Sequence, residues 1–355
     1  KVLITGDFCP NVGFDEQNFE NVVTIFNSCD LRIVNFECAI TTKKTRGILK
    51  EGPNLGCSSV VFENIKHLPI DLLTLANNHT FDYGEKGLQE LINKAKEFGL
   101  SVVGAGMDKS EIQAPYIYRS KNKTIAVINC CEIEFSYFNG VGTNAVSPIS
   151  IFNQIQKAKR KAEKIIVVVH GGHEYYQLPS PRMQELYRFF IGIGACAVIG
   201  HHPHCFSGFE RYRGGLIFYS LGNFFFKNES CKRSVWNEGY MVKLLVPDSE
   251  MEELGYEIIP YVQCLGDSSV ILLSGEEKKE FIKKVERLSA IIADEEQIKN
   301  NYEYYASQMR RKSLSRLLPY SNRFLIALYK RGLFPSFLSK TSAIAKLNAL
   351  QCEAH

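Results

Sequence analysis

The feature of this chain that most restricts its fold is a series of short apolar runs, each followed at once by polar residues. The runs are Val2–Thr5, Leu31–Val34, Leu72–Ala76, Ile165–Val169 and Ala195–Ile199. Continuous apolar runs of this length are typical of buried parallel strands, whereas half-exposed strands alternate apolar and polar residues. Helical segments separate most of the runs, so the chain up to about Gly200 predicts parallel βαβ units in an α/β fold.

The polar clusters after these runs contain the residue types of a metal site. They are Gly6-Asp7, Asn35-Phe36-Glu37, Asn77-Asn78-His79, His170-Gly171-Gly172-His173-Glu174 and Gly200-His201-His202-Pro203-His204. Ligands of open α/β sheets gather beyond the carboxyl ends of the parallel strands. Carboxylate, amide and imidazole groups together suit divalent metals, so the clusters predict a shared metal site.

The bulk composition is that of a globular protein. The 355 residues include 45% hydrophobic and 23% charged residues, with a net charge of +4. No apolar run approaches the roughly 20 residues that span a bilayer, and no charged-then-apolar leader precedes the first strand. The eleven cysteines contain no CxxC pair, which favours reduced thiols over a disulfide framework. We therefore expect a cytoplasmic protein, with any membrane contact peripheral.

The pattern changes after Gly200. The runs Leu216–Leu221, Tyr240–Val246 and Tyr256–Val262 are consecutive and joined by short turns, which predicts antiparallel strands added to the first sheet or facing it. From about Glu276 the chain is predicted to be helical to its end. We therefore expect a main domain at 1–275 and a helical, basic extension at 276–355.

Basic residues dominate this extension. Two interpretations remain open: a solvated helix face packed on the core, or a surface that meets anionic polymer or lipid headgroups. The excess is largest between Lys299 and Lys346, where Arg310, Arg311, Lys312, Arg316, Arg323, Lys330, Arg331, Lys340 and Lys346 stand against the single acidic residue Glu303.

Taken singly, several motifs have structural explanations. Asp7 can form a turn or cap a helix, and Glu37 can belong to an ion pair. Asn78 offers a hard-metal oxygen, and His79 can act as a general acid or polarise a substrate. Asp82 can orient His79 or cap the helix that begins near Glu85; the two roles are compatible.

The histidine clusters are harder to explain as packing. His170 is the predicted ligand of its cluster, while His173 and Glu174 are assigned to the surrounding shell or the substrate. His202 and His204 can converge on one metal or divide between two. Asn223, after another strand, can hold a histidine ring or a substrate group, or form a turn. No Gly-x-Ser-x-Gly elbow, P-loop or Rossmann glycine triplet occurs.

In this order, the motifs from Lys1 to about Val246 resemble the CapA family, also called the PGA_cap or poly-γ-glutamate capsule biosynthesis family, a relative of the calcineurin-like metallophosphoesterases. The blocks that complete the resemblance are Leu75–Gly84, Gly104–Gly106, His170–Tyr175, Ile199–His204 and Tyr219–Phe224. It implies a four-layer α/β/β/α sandwich with one or two divalent ions at the strand ends, and it does not discriminate among Mn, Zn, Fe and Mg. The implied metal ligands are Asp7, Glu37, Asn78, His170, His202 and His204.

The same resemblance implies that His79 is the catalytic histidine, with Asp82 beside it. The surrounding shell or substrate-contacting residues are then Cys9, Asn35, His173, Glu174, His201 and Asn223. Metallophosphoesterases usually carry Asp-x-His on the first strand, whereas this chain has Asp7-Phe8-Cys9. Cys9 is therefore a ligand, a buried thiol or the mark of a weak second metal position.

These features favour a metal-dependent hydrolase of capsule or exopolymer biosynthesis, in which a metal-activated water attacks a phosphoester or an amide. The expected substrate is an anionic polymer or a peptide or sugar. The alternative is a non-catalytic assembly or polymer-binding factor that keeps the fold. The basic helices suggest contact with a membrane or with the capsule machinery. Nucleic acid is not expected as a partner, because the aromatics of the extension lie at helix-packing positions.

Overall fold

The computed structural model describes residues 1–41, 45–120, 123–134, 137–138, 140–227, 233–247, 252–266, 269–320, 322–337, 339 and 341. The chain divides into two compact units, Lys1–Glu295 and Glu296–His355. The first unit extends 20 residues beyond the boundary expected at 275/276, so it includes a helix that the sequence analysis placed in the extension.

The first half of the main unit alternates strands and helices. Its strands are β1 (Val2–Cys9), β2 (Leu31–Phe36), β3 (Ala39–Ile40), β4 (Gly56–Cys57), β5 (Leu72–Thr74), β6 (Ser101–Val103), β7 (Ala105–Gly106), β8 (Tyr116–Arg119), β9 (Thr124–Cys131), β10 (Tyr137–Phe138) and β11 (Val141–Thr143). Its helices are α1 (Glu20–Asn27), α2 (Val61–Ile65), α3 (Gly84–Glu97), α4 (Lys109–Ile112) and α5 (Pro148–Ala158).

Strands dominate the second half of this unit. They are β12 (Lys164–His170), β13 (Ala197–His201), β14 (Phe209–Tyr212), β15 (Gly215–Phe218), β16 (Asn223–Phe226), β17 (Glu238–Leu245), β18 (Gly255–Gln263) and β19 (Val270–Leu272). The helices are α6 (Pro181–Gly192), between β12 and β13, and α7 (Gly275–Ile292).

Two mixed sheets form the centre of the unit. The first has the order β19-β18-β17-β1-β2-β5-β6, with β16 also paired to β1, and the second has the order β14-β15-β13-β12-β9-β8. In the first sheet the pairs from β19 to β1 are antiparallel and those from β1 to β6 are parallel. In the second sheet the parallel pairs lie at the middle and the antiparallel pairs at both edges. The strand expected at Leu216–Leu221 is β15, which pairs parallel with β13 and not only antiparallel.

The strands of the first sheet bury both faces. On β1, Val2 and Ile4 join the core between the two sheets, whereas Leu3 joins the core under the helices. That outer core takes its helical residues from α1, α2 and α3, while α5 and α6 bury Ile155 and Tyr187 against the second sheet. The layers therefore run helix, sheet, sheet, helix, which confirms the four-layer α/β/β/α prediction.

Helix α7 belongs to this unit because it packs on the core between the sheets. The Phe281 ring lies 4.6 Å from the Phe206 ring, centroid to centroid. Val285 joins the same core, and the Ser289 hydroxyl oxygen accepts a 3.0 Å hydrogen bond from the Phe209 amide. Deleting residues from 276 onward would therefore expose part of the main core.

The second unit contains helix α8 (Glu295–Leu314), which begins one residue before it, a short 3-10 helix (Ser315–Leu317) and α9 (Arg323–Lys330). Lys340 and Lys346 lie outside the described residues. No helix in the part of the chain that the structure describes has the length and apolar character needed to cross a membrane. The remaining predicted basic residues are all exposed: Arg310, Arg311, Lys312, Arg316, Arg323, Lys330 and Arg331.

Candidate metal centre

The carboxyl ends of strands from both sheets meet at the predicted site. Asp7 lies near the end of β1, and Glu37 directly follows β2. His170 ends β12, and His202 directly follows β13. A register shift in the pairing of β1 with β2, between Ile4 and Asp7, precedes the first of these carboxylates. Such an irregularity re-aims the side chain that follows it.

Glu37 lies at the centre of this group. Its side chain is fully buried, and neither carboxylate oxygen has a hydrogen-bond partner among the described residues. Its Oε1 lies 3.5 Å from His170 Nε2 and 3.5 Å from His204 Nε2. Burial, reinforced by the charge of Asp7, raises the pKa of Glu37 well above its usual value. A buried carboxylate without a partner is costly, and a cation beside it would remove that cost.

Two sets of side chains around Glu37 have the spacing of metal ligands. One is Glu37, His170 and His202, and the other is Asp7, Glu37 and His204; within each set the candidate ligand atoms lie within 4.8 Å of one another. Asn78 joins the first set, since its Oδ1 lies 3.0 Å from His170 Nε2. The predicted metal-binding residues are thus brought together, with Glu37 shared by both sets.

The imidazoles of the first set are suited to metal binding. Burial, with the neighbouring His202 ring, lowers the pKa of His170 well below its usual value. Burial, with the nearby His204 ring, lowers the pKa of His202 to about 3. Both rings are therefore neutral at neutral pH, which is the form that binds a metal ion. Oxygen and imidazole donors in this mixture suit Zn, Mn or Fe and discriminate little among them.

The carboxylate of Asp7 is held by its neighbours. It accepts hydrogen bonds from Asn35 Nδ2 at 2.8 Å and His201 Nδ1 at 2.9 Å. Burial would raise the pKa of Asp7, but hydrogen bonds from His201 and His204 outweigh burial and lower it well below its usual value. Asp7 is therefore an ionised ligand candidate whose orientation is fixed.

Asparagines hold two of the histidine rings. Asn35 Nδ2 also lies 3.3 Å from His170 Nδ1, and Asn223 Oδ1 lies 3.0 Å from His204 Nδ1. Because a carbonyl oxygen only accepts, His204 Nδ1 carries the proton and its Nε2, on the side of Glu37, is free to bind a metal. Asn35, His201 and Asn223 thus contact the candidate ligands, as expected of a surrounding shell.

The three-histidine segment has an unusual backbone. His202 has φ +95° and His204 has φ +53°, conformations that non-glycine residues rarely adopt and that cluster at functional sites. Gly200, just before, has no room for a side chain, because a Cβ atom would lie 2.1 Å from the Tyr219 carbonyl oxygen. The close approach of β13 to β15 thus requires this glycine.

His79 and Asp82 form a pair beside the ligands. His79 Nδ1 lies 2.6 Å from Asp82 Oδ2, and both residues are buried. Burial lowers the pKa of His79, although the Asp82 carboxylate opposes the shift. Asp82 does not cap α3; the N-cap position is occupied by Tyr83, whose side chain makes no capping hydrogen bond. The orienting interpretation of Asp82 therefore agrees with the contacts, and the capping interpretation does not.

Three of the predicted shell residues belong to neither ligand set among the described residues. Cys9 is fully buried in the apolar core under the helices, and among the described residues it belongs to neither ligand set. Of its three interpretations, the structure agrees with a buried thiol. His173 is partly buried, with its ring 6.5 Å from that of Tyr176, and Glu174 is exposed.

Three charged residues of this region were not predicted from the sequence. Lys50 is buried beside Asp82, with an ion pair between the two side chains. Glu132 and Glu134 line the opening above Asn78, His170 and His202. Glu132 directly follows β9 and Glu134 lies two residues further, so the rule applied to the other strand ends would have found them. Lys50 lies in a glycine- and lysine-rich loop that carries no comparable signal.

Comparison with known proteins agrees with the sequence resemblance. A family model described as "Bacterial capsule synthesis protein PGA_cap" matches residues 2–228. The PGA biosynthesis protein CapA of Bacillus subtilis is 32% identical over 213 residues, which cover 59% of this chain and 56% of that protein. The capsule biosynthesis protein CapA of Bacillus anthracis is 32% identical over 222 residues, covering 59% and 53%. This chain thus spans about half the length of these curated relatives.

Solved structures with a similar arrangement are more distant. One is a novel phosphatase from Mycoplasma pneumoniae, with TM-score 0.48 and 16% identity, covering 74% of this chain and 92% of that one. Another is a hypothetical protein from Thermus thermophilus, with TM-score 0.46 and 14% identity, covering 73% and 98%.

Proposed function

This chain belongs to the bacterial capsule synthesis protein PGA_cap family, and from that premise we propose that it is a metal-dependent hydrolase of capsule or exopolymer biosynthesis. The proposed reaction is attack of an activated water on a phosphoester or an amide. The relatives' names mention PGA and capsule biosynthesis, so we propose a bond in a capsular polymer, a poly-γ-glutamate or a polysaccharide, or in its precursor.

One observation carries the proposal: the Glu37 carboxylate is buried without a partner between two sets of neutral or carboxylate donors. Asp7, Glu37 and His204 would hold one divalent ion, and Glu37, Asn78, His170 and His202 would hold another. Such an ion supplies Lewis acidity and activates water at neutral pH. A buried site of this composition without a cation would leave Glu37 desolvated and unpaired.

The chain's own acid–base group is His79. Its Nδ1–H donates to Asp82, which leaves Nε2 to accept a proton or return it to a leaving group. Because burial keeps the ring neutral at neutral pH, its first task is to accept a proton. The shell residues Asn35, His201 and Asn223 would keep the ligand side chains oriented throughout the cycle.

The test combines metal analysis with hydrolysis assays. Purified protein is reconstituted with Mn²⁺ or Zn²⁺, and its metal content and its hydrolysis of bis(p-nitrophenyl) phosphate and γ-glutamyl p-nitroanilide are measured. We expect His202→Ala to reduce both metal content and turnover, and His79→Ala to reduce turnover alone. His67→Ala, at an exposed histidine, is the matched control and should resemble the wild type.

The outcomes separate the two functions. Bound metal below about 0.1 equivalent after reconstitution would contradict the metal site itself, because sites of this kind bind at least one ion per chain. Metal binding without any turnover that depends on His79 would replace the hydrolase by the non-catalytic assembly factor.

We also propose a peripheral membrane contact through the C-terminal basic residues. The support is that those residues which the structure describes are all exposed, and that a juxtamembrane basic residue contributes about 1 kcal/mol to binding anionic lipid. Cosedimentation with vesicles containing phosphatidylserine should exceed that with phosphatidylcholine vesicles. It should also decrease when Arg310, Arg311 and Lys312 are changed to Gln. Equal binding to both kinds of vesicle would leave the capsule machinery as the partner to examine.

A further inference from the structure

Lys50 is a buried cation beside the candidate acid–base pair. Only 3% of its side chain is exposed. Its ammonium group forms an ion pair with Asp82 Oδ1, donates to the Asn78 carbonyl oxygen at 3.3 Å, and lies 3.2 Å from His79 Nδ1. Lysine is rarely buried unless it is paired, so this position has a specific role to explain.

The contacts of Lys50 determine how the Asp82 carboxylate is oriented. Asp82 Oδ1 accepts from Lys50, while Oδ2 accepts from His79 Nδ1 at 2.6 Å and from the Leu55 amide at 2.6 Å. With both oxygens engaged on different sides, the carboxylate cannot rotate without losing a buried charged hydrogen bond. The Asp82 carbonyl also accepts from the Ile48 amide at 2.9 Å, so the segment 48–55 is attached to Asp82 at three points.

Lys50 also connects the acid–base pair to the metal ligands. Asn78, whose carbonyl oxygen accepts from Lys50, presents its side-chain oxygen to His170. One ammonium group therefore contacts both the peptide that carries a candidate ligand and the carboxylate that orients His79. Substrate binding is a poor alternative role, since the ammonium group is already engaged by Asp82 and Asn78 and is buried.

We propose that Lys50 is a positioning residue, which locks Asp82 so that His79 keeps its Nδ1–H bond and its orientation relative to Asn78. The proposal deepens the proposed function. The expected loss of kcat rests on that function, whereas the orientation of His79 by Asp82 does not. It assigns a role to the segment 48–55, which carries Lys50 to the site.

The first test reads the His79 ring directly and needs no turnover. A hydrogen-bonded imidazole Nδ1–H gives a separate downfield proton signal in the NMR spectrum, which is assigned by its absence in His79→Gln. We expect the wild type to show this signal at neutral pH and Lys50→Met, of similar length but uncharged, to lose it. Lys66→Met, at an exposed lysine paired with Glu63, should retain it. Retention of the signal in Lys50→Met would overturn the proposal.

The second test is a double-mutant cycle on the phosphodiesterase assay. Lys50→Met should lower kcat by about 10- to 100-fold, the effect of a small misplacement of a catalytic group, with KM and metal content nearly unchanged. In the Asp82→Asn background the same substitution should have less than about a twofold further effect, because the two residues act through one contact. Equal effects in both backgrounds, or a raised KM with unchanged kcat, would contradict positioning.

The two tests separate the possible failures. An inactive wild type would remove the hydrolase but leave the NMR result to decide the role of Lys50. If Lys50→Met does not fold, Lys50→Gln replaces it, since the amide can donate one hydrogen bond without the charge. Its His79 signal is expected to shift or broaden, and an unchanged signal would overturn the proposal.

Discussion

Replacing Glu37 by glutamine should stabilise the metal-free protein and remove most of its stabilisation by metal. Glutamine has nearly the same shape as glutamate but carries no charge, so it removes the cost of a buried, unpaired carboxylate. Because the pKa of Glu37 is raised when folded, the folded protein binds this proton more tightly than the unfolded chain. Its stability therefore falls as the pH rises above the unfolded value of 4.5.

The size of this effect has an upper bound. At pH 7, a group with an unfolded pKa of 4.5 can cost at most about 3 kcal/mol, and at pH 5 less than about 1 kcal/mol, at roughly 1.4 kcal/mol per pKa unit. The glutamine amide remains partly unsatisfied, so we expect a gain of about 2 kcal/mol at pH 7. At roughly 2 °C per kcal/mol for a unit of this size, Tm should rise by about 4 °C.

Metal should stabilise the wild type much more than the Glu37→Gln protein. An ion at 100 times its Kd adds about 2.7 kcal/mol to the wild type, whereas the Glu37→Gln protein has lost the ligand shared by both sets. Differential scanning fluorimetry with EDTA, and with Mn²⁺ or Zn²⁺, measures both effects. Glu280→Gln, at an exposed glutamate, is the control. Two results together would contradict this prediction. The metal-free Glu37→Gln protein would be less stable than the metal-free wild type, and its Tm would rise on addition of metal as much as that of the wild type.

Three further predictions concern the neighbours of the site. His79→Ala should reduce kcat by about 10²- to 10⁴-fold while metal content stays at the wild-type level; steady-state kinetics that show no loss would exclude His79 as the acid–base group. Asn223→Ala should weaken metal binding about 10- to 100-fold, because the His204 ring loses the acceptor at its Nδ1; a titration with Kd unchanged would count against this orienting role. Gly200→Ala should destabilise the protein by about 1–3 kcal/mol, since its Cβ would meet the Tyr219 carbonyl oxygen, whereas Gly13→Ala, with open space around it, should not; chemical denaturation that finds the two variants alike would argue against the tight approach.

The strand-end rule predicted most residues of the candidate site because it depends only on local sequence. An apolar run that ends in Asp7, Glu37 or His170 locates a side chain at a sheet edge, whatever the tertiary details. The same rule would have located Glu132, which directly follows the end of β9 at Cys131, and Glu134 two residues beyond. The apolar run of β9 was not among the five runs to which the rule was applied.

Other features depend on contacts that the sequence does not encode locally. Lys50 meets Asp82 across 32 positions, and a loop lysine has no periodicity that would indicate burial. For Cys9, strand alternation would place it on the same side as Asp7. The pairing of β1 with β16 shifts register between Asp7 and Phe8, so alternation does not decide where the Cys9 thiol lies. The lack of hydrogen-bond partners for the Glu37 carboxylate oxygens, among the described residues, likewise depends on how the two sheets assemble.

The most direct test of the metal site is to locate a bound metal in a crystal of the Mn²⁺- or Zn²⁺-reconstituted protein by anomalous diffraction. We expect a peak at a coordination distance of about 2.0–2.4 Å from a Glu37 carboxylate oxygen. His170 and His202, or Asp7 and His204, should supply the neighbouring ligands. A metal-loaded crystal whose anomalous peaks all lie away from Glu37 would contradict the proposed metal site.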